Sequence, residues 1–203
     1  MTGMTDMAGT AKTLVLLDVA IEEFARRLRL VGPGDWRRPT LCTEWDVRAL
    51  VDHVVGANVR YQLLLHGAPT DRVEATRSVD HLGDDALASF VATADRMVAC
   101  FHEDGALDRV AHHVIGERSG AELLSMRILD AAIHAWDLAR AIGADETLPD
   151  DVVAFLLAYS LDLDLGPRQD TFATTSADVS PDASPQDQLL HRLGRHPNTE
   201  EIR

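Results

Sequence analysis

From about residue 12 to 30, Leu14, Leu17, Ile21, Phe24, Ala25 and Leu28 recur every three or four positions, which predicts an amphipathic helix. Gly32, Pro33 and Gly34 end it. A second helix is expected from Thr43 to about Leu65, with Val47, Leu50, Val51, Val54 and Tyr61 on its apolar side and Thr43 and Asp46 spaced as a capping box. The polar connection "HGAPTDRVEATRSVDHLGDD" has room for a turn of helix. The third helix, about 84 to 103, carries Leu87, Phe90, Val91, Ala94, Met97, Val98 and Phe101 on one side.

"DRVAHHVIG" has β-branched residues and few helix signals, so a short extended segment is expected near 109–115. A fourth helix spans roughly 119 to 142 and stops at Gly143, and a fifth, about 150 to 164, follows Pro149 and stops at Gly166-Pro167. Ser184, Pro185 and Asp187 supply the first positions of a short C-terminal helix holding Leu189, Leu190 and Leu193. The pattern predicts an all-α four-helix bundle with a short additional C-terminal helix. Residues 1–11 read as a mobile N-terminal tail, 12–197 as one domain and 198–203 as a C-terminal tail.

The fourth helix breaks the amphipathic rule. In "LDAAIHAWDLARAIG", residues 129–143, Asp130, His134 and Asp137 fall within one narrow stripe at about 100° per residue, while Ala131, Ala132, Ala135, Trp136 and Ala139 cover the far side. With no properly polar face, the helix reads as central and buried. A carboxylate there must be paired, hydrogen-bonded or metal-bound.

Composition narrows the partners. A formal net charge of −14 argues against nucleic acid and against an anionic membrane surface. No apolar run approaches the ~20 residues of a membrane span, and the start "MTGMTDMAGTAK" lacks a signal-peptide pattern, so a cytoplasmic protein is expected. Cys42 and Cys100 are the two cysteines; without CxxC spacing they read as small core residues with no chemical role.

His53, in "VRALVDHVVGAN", has Ala49, Leu50, Gly56 and Ala57 as helical neighbours and borders the buried face, so its ring can enter the bundle interior. Asp130 and His134, at i and i+4, can reach the same ion there. Two imidazoles and one carboxylate leave a position open for water or substrate, as catalytic metal sites do. The competing reading pairs Asp130 with Arg127 and Asp137 with Arg140, and makes His53 and His134 hydrogen-bonded core histidines. Asp137 could equally orient a histidine ligand. His112 and His113 are spare candidates, but adjacent residues of an extended segment point to opposite faces, and both are left out of the site.

The run "PTLCTEWDVRALVDHVVGAN", then "RILDAAIHAWDLARAIG" and "SPDASPQDQLLHRLGRHP", resembles actinobacterial metal-binding proteins of the DinB-like superfamily, in particular the N-terminal domain of mycothiol-dependent maleylpyruvate isomerases. The likeness runs from about residue 12 to 197. It implies a four-helix bundle that binds a divalent metal, usually zinc, through His53, Asp130 and His134. The isomerases carry Glu where this chain has Asp130, one methylene shorter, and a separate C-terminal domain in place of which this chain has a short tail, so isomerase activity itself is not implied. Ligand type alone also suits iron, nickel or manganese.

The leading expectation is thiol chemistry. A low-molecular-weight thiol such as mycothiol takes the open metal position, is activated there, and reacts with a small electrophilic molecule in a transfer or isomerisation. Asp137 could orient a ligand or accept a proton, and Trp45 or Trp136 could wall the site, though core packing suits both tryptophans better. The alternatives are a non-catalytic metal- or ligand-binding protein and a metal-dependent hydrolase. A homodimer stays open, since bundles often dimerise, but no exposed stripe compels it.

Overall fold

The computed structural model describes the backbone of residues 3–42, 44–161 and 182–196, and side chains from residue 9 onward. Its elements in chain order are α1 (Gly3–Leu28), α2 (Val47–Leu65), α3 (Thr70–Ala75), α4 (Ala86–Phe101), β1 (Val110–His113), β2 (Gly116–Ser119), α5 (Gly120–Ile142), α6 (Asp150–Tyr159) and α7 (Pro185–Arg192). The long helices form the bundle: α1 packs on α5 and α4, and α2 on α4 and α5. The all-α reading therefore holds, with α6 and α7 packed together beside the bundle. No helix among the described residues is long and apolar enough to cross a membrane.

Two helix starts differ from the sequence pattern. The segment expected as an N-terminal tail is helical from Gly3, because Met and Ala are good helix formers and an existing helix extends at little cost. The second helix begins at Val47, with Asp46 as its cap accepting from the Ala49 amide at 2.9 Å. The stretch before it is committed elsewhere: the Val47 amide bonds to the Arg38 carbonyl at 3.0 Å, and the Thr40 hydroxyl donates to the Trp45 carbonyl at 2.9 Å. The capping role expected of Thr43 lies outside the described residues. Helix α6 ends at Tyr159, earlier than expected, and residues 162–164 also lie outside them.

The extended segment is one arm of a hairpin. β1 pairs antiparallel with β2, from Val110 opposite Ser119 to His113 opposite Gly116, and Gly116 supplies the positive φ of 112° at the turn. Ser119 then caps α5 and forms a reciprocal pair with Glu122, while Gly143, at φ 71°, ends the helix. The central, buried character expected of this helix is observed, since Leu123, Ile128, Ala132, Trp136 and Leu138 are all buried.

The core falls into two clusters. One gathers Leu17, Met97, Phe101, Leu124 and Trp136; the other gathers Phe24, Leu50, Val54, Phe90 and Leu138. Arg127 touches both, with Nε 3.3 Å from Met97 Sδ and Nη2 3.4 Å from the Val54 carbonyl.

The first residue of α5 has no room for a side chain: a Cβ on Gly120 would lie 2.0 Å from the Ala106 carbonyl oxygen and 2.8 Å from Leu107 Cα. Both are backbone atoms. Gly120→Ala is expected to lose about 2–3 kcal/mol, read as a lower urea midpoint. Gly9→Ala, in open space on α1, should instead gain up to about 1 kcal/mol.

Candidate metal centre

α2 and α5 bring His53, Asp130 and His134 together, with one donor atom from each within 4.8 Å of the other two. His53 Nε2 is 3.2 Å from Asp130 Oδ1, and His134 Nε2 is 3.5 Å from the same oxygen. Ligands about 2.1 Å from a tetrahedral ion lie roughly 3.4 Å apart, so this donor set fits a small divalent cation. His134 is buried, whereas the side chains of His53 and Asp130 keep 18% and 15% of their surface exposed. The cluster thus has one wet side.

Each group is held from behind. Asp130 gives its other oxygen, Oδ2, to a charged hydrogen bond from Arg127 Nη1. Arg127 is in turn fixed by Asn58 Oδ1 at 2.6 Å, and Asn58 donates to Thr93 Oγ1 at 3.1 Å. The Arg127–Asp130 pair expected from their spacing is therefore real, yet it leaves Oδ1 to the histidines. His134 Nδ1 lies 3.0 Å from Asp137 Oδ2. Since a carboxylate only accepts, Nδ1 donates, and Nε2 faces Asp130, carrying a proton while the ring is charged and a lone pair once that proton is lost. His53 packs against Trp45 with the rings tilted by 35° and their centroids 4.6 Å apart, and Trp45 also lies 5.8 Å from the His134 ring. Trp45 thus walls the site, while Trp136 is core, with the Arg140 guanidinium 5.5 Å over its ring.

Asp137 does not pair with Arg140 in the manner its spacing suggested. Arg140 bonds to Glu146 at 3.1 Å, and Asp137 is gripped by Arg195, Nε to Oδ1 at 3.2 Å and Nη2 to Oδ2 at 2.8 Å. Arg195 follows α7, 58 residues along the chain, and no local pattern could announce the pairing. Cys42 is likewise more than core filling: it is half-buried, with Sγ 3.6 Å from Asp137 Oδ2 and 3.7 Å from Arg195 Nη2. His112 and His113 sit on β1, with His112 exposed beside Glu117, and neither joins a donor cluster among the described residues.

The electrostatics follow from these partners. Burial pushes the His53 imidazole down to about 4, against the pull of Asp130, so it is neutral near pH 7. Burial would also lower His134, but its hydrogen bonds to Asp130 and Asp137 win and raise it well above its ordinary value. Burial works against ionising Asp130, yet its bonds to His134 and His53 and the charge of Arg127 hold it well below the usual carboxylate range. Asp137 is also held below that range: burial opposes, and the Arg195 charge and the bond to His134 overcome it.

Relatives give the fold a context. The family model described as the mycothiol maleylpyruvate isomerase N-terminal domain matches residues 17–139, a span that includes His53, Asp130, His134 and Asp137 but not Arg195. An uncharacterized protein found in two strains of Mycobacterium tuberculosis is 30% identical over 179 residues, which are 87% of this chain and 93% of the relative. Among solved structures, the crystal structure of the mycothiol-dependent maleylpyruvate isomerase is similar with a TM-score of 0.60 at 19% identity, over 74% of this chain and 69% of that one. A histidine-to-alanine mutant of that isomerase gives a TM-score of 0.59 over the same shares. At this identity the likeness is one of fold.

The opposite displacements of the two histidines set a pH signature. A raised imidazole such as His134 contributes stability below its unfolded value, about 6.5, that is lost as pH rises through the folded value. A lowered one such as His53 costs stability as pH falls from about 6.5 toward its folded value near 4. In metal-stripped protein, ring resonances in NMR should show His53 neutral down to about pH 4 and His134 keeping its proton to higher pH than an ordinary imidazole. A His134 ring that titrates below pH 6.5 would contradict the carboxylate clamp.

Proposed function

The chain belongs to the mycothiol maleylpyruvate isomerase N-terminal domain family, and on that premise we propose that it binds a divalent metal, zinc in the first instance, through His53, Asp130 and His134. We further propose that it is an enzyme that uses a low-molecular-weight thiol such as mycothiol in a transfer or isomerisation of a small electrophilic molecule. The observation that carries the reading is the meeting of two imidazole nitrogens on one carboxylate oxygen, at 3.2 and 3.5 Å, with a wet side left open. Asp130 is shorter than the Glu expected at this position, and its approach to both histidines supports a ligand role despite that.

When bound, a divalent cation supplies a Lewis acid that lowers the pKa of a thiol or water in its open position. The rest is the work of side chains. Asp137 fixes the tautomer and orientation of His134 through Nδ1, and Arg195 fixes Asp137. Arg127 keeps Asp130 ionised and turns Oδ1 toward the histidines. Trp45 packs against the His53 ring and limits its movement. Asp137 is a poor proton acceptor here, because a carboxylate held below its usual range by Arg195 has little basicity. Its part is positioning.

Elemental analysis of the purified chain tests the ligand set. His53→Ala and His134→Ala are each expected to hold one metal equivalent fewer than wild type, and Asp137→Asn to bind that equivalent about 10–100-fold more weakly. A full complement in His53→Ala overturns the assignment. Thiol use is tested by melting curves: a small thiol at about 100 times its Kd should stabilise by about 2.7 kcal/mol, and only in metal-loaded protein. An unchanged melting curve with every thiol would favour a protein that holds metal without catalysis.

A further inference from the structure

A second donor cluster lies about 20 Å along α2 from His53, given 13 residues at about 1.5 Å each. It is formed by His66, which caps α2, Cys100, in the last turn of α4, and Glu103, just beyond that helix. One donor atom from each lies within 4.8 Å of the other two. Cys100 is buried, while the side chains of His66 and Glu103 are 54% and 40% exposed and have the rotamer freedom to close on an ion.

The hydrogen bonds decide which atoms are available. His66 Nδ1 lies 2.8 Å from the Gln62 carbonyl oxygen, which only accepts, so Nδ1 carries the proton and Nε2 presents a lone pair. Nε2 faces Glu103 Oε1 at 3.4 Å. Two acceptors turned toward each other call for a cation between them, either a proton or a metal. Arg109 takes the other Glu103 oxygen at 2.7 Å and donates to the Leu65 carbonyl at 3.3 Å, so it orients the carboxylate while leaving Oε1 free to face His66. A nucleophile-and-base use of the trio fails on the same geometry. The ring nitrogen 3.9 Å from Cys100 Sγ is Nδ1, and its proton is already given to Gln62.

We propose that His66, Cys100 and Glu103 form a second divalent-metal site, for a thiophilic ion of the zinc type, that clips the end of α2 to the end of α4. One thiolate, one imidazole and one carboxylate make a donor set that zinc and cobalt accept in tetrahedral geometry, with water as the fourth ligand on the exposed side. Binding displaces the Cys100 thiol proton to solvent, so no oxidant or reductant is involved. The site is separate from the His53 cluster, and either can fail without the other.

Titration of the metal-stripped, reduced full chain with Co(II) tests it. The expected result is a near-ultraviolet thiolate-to-cobalt charge-transfer band that persists in His53→Ala and in Cys42→Ser. The band should vanish in Cys100→Ser and need about tenfold or more additional Co(II) in His66→Ala. If Cys100→Ser does not fold, the exposed His66→Ala substitution decides. Absence of the band in wild type, its survival in Cys100→Ser, an unchanged Co(II) requirement in His66→Ala, or its loss in Cys42→Ser would each overturn the proposal. Loss of one equivalent in His53→Ala with the band intact would support both sites separately.

Discussion

Two ionised carboxylates on the most buried helix of the bundle must be compensated, and the site is built around that requirement. Asp130 and Asp137 each sit where an unpaired charge would cost several kcal/mol, and each is met by an arginine from behind and a histidine from the front. Arg127 is local, three residues before Asp130. Arg195 arrives from beyond α7, and so ties the C-terminal segment to the centre of the fold. Pairing of this kind orients as much as it stabilises, because a bidentate guanidinium admits few carboxylate rotamers.

The consequence for chemistry is a division of labour between the two acids. Asp130 divides its oxygens, one to Arg127 and one to the histidine pair, and so faces the wet side of the cluster. Asp137, with no exposed surface, has both oxygens engaged by Arg195 and acts on the donor cluster through His134. The two carboxylates flanking His134 favour positive charge there, whether a proton on the ring or a cation beside it. Neutral His53, pushed the other way by burial, is suited to offer a lone pair at ordinary pH.

Much of this was legible along the chain where the determinants are local. The 3.6-residue pattern located the long helices, Gly143 marked the end of α5, and Ser184 with Pro185 marked the start of α7. The i, i+4 spacing put Asp130 and His134 on one stripe. Less legible were boundaries at which neighbouring backbone competes. The helix at Val47 starts late because Arg38, Thr40 and Trp45 have already taken the hydrogen bonds that an earlier start would need.

What the sequence by itself determined was the all-α class, the apolar character of α5 and the anomaly of charged residues within it, since each depends on residues a few positions apart. Only the tertiary structure decided that Arg195 and not Arg140 answers Asp137, that Cys42 borders the site and that Cys100 meets His66. Those contacts join segments 34 to 95 residues apart. Their partners are chosen by how the helices stack, and periodicity within one helix holds no information about that choice.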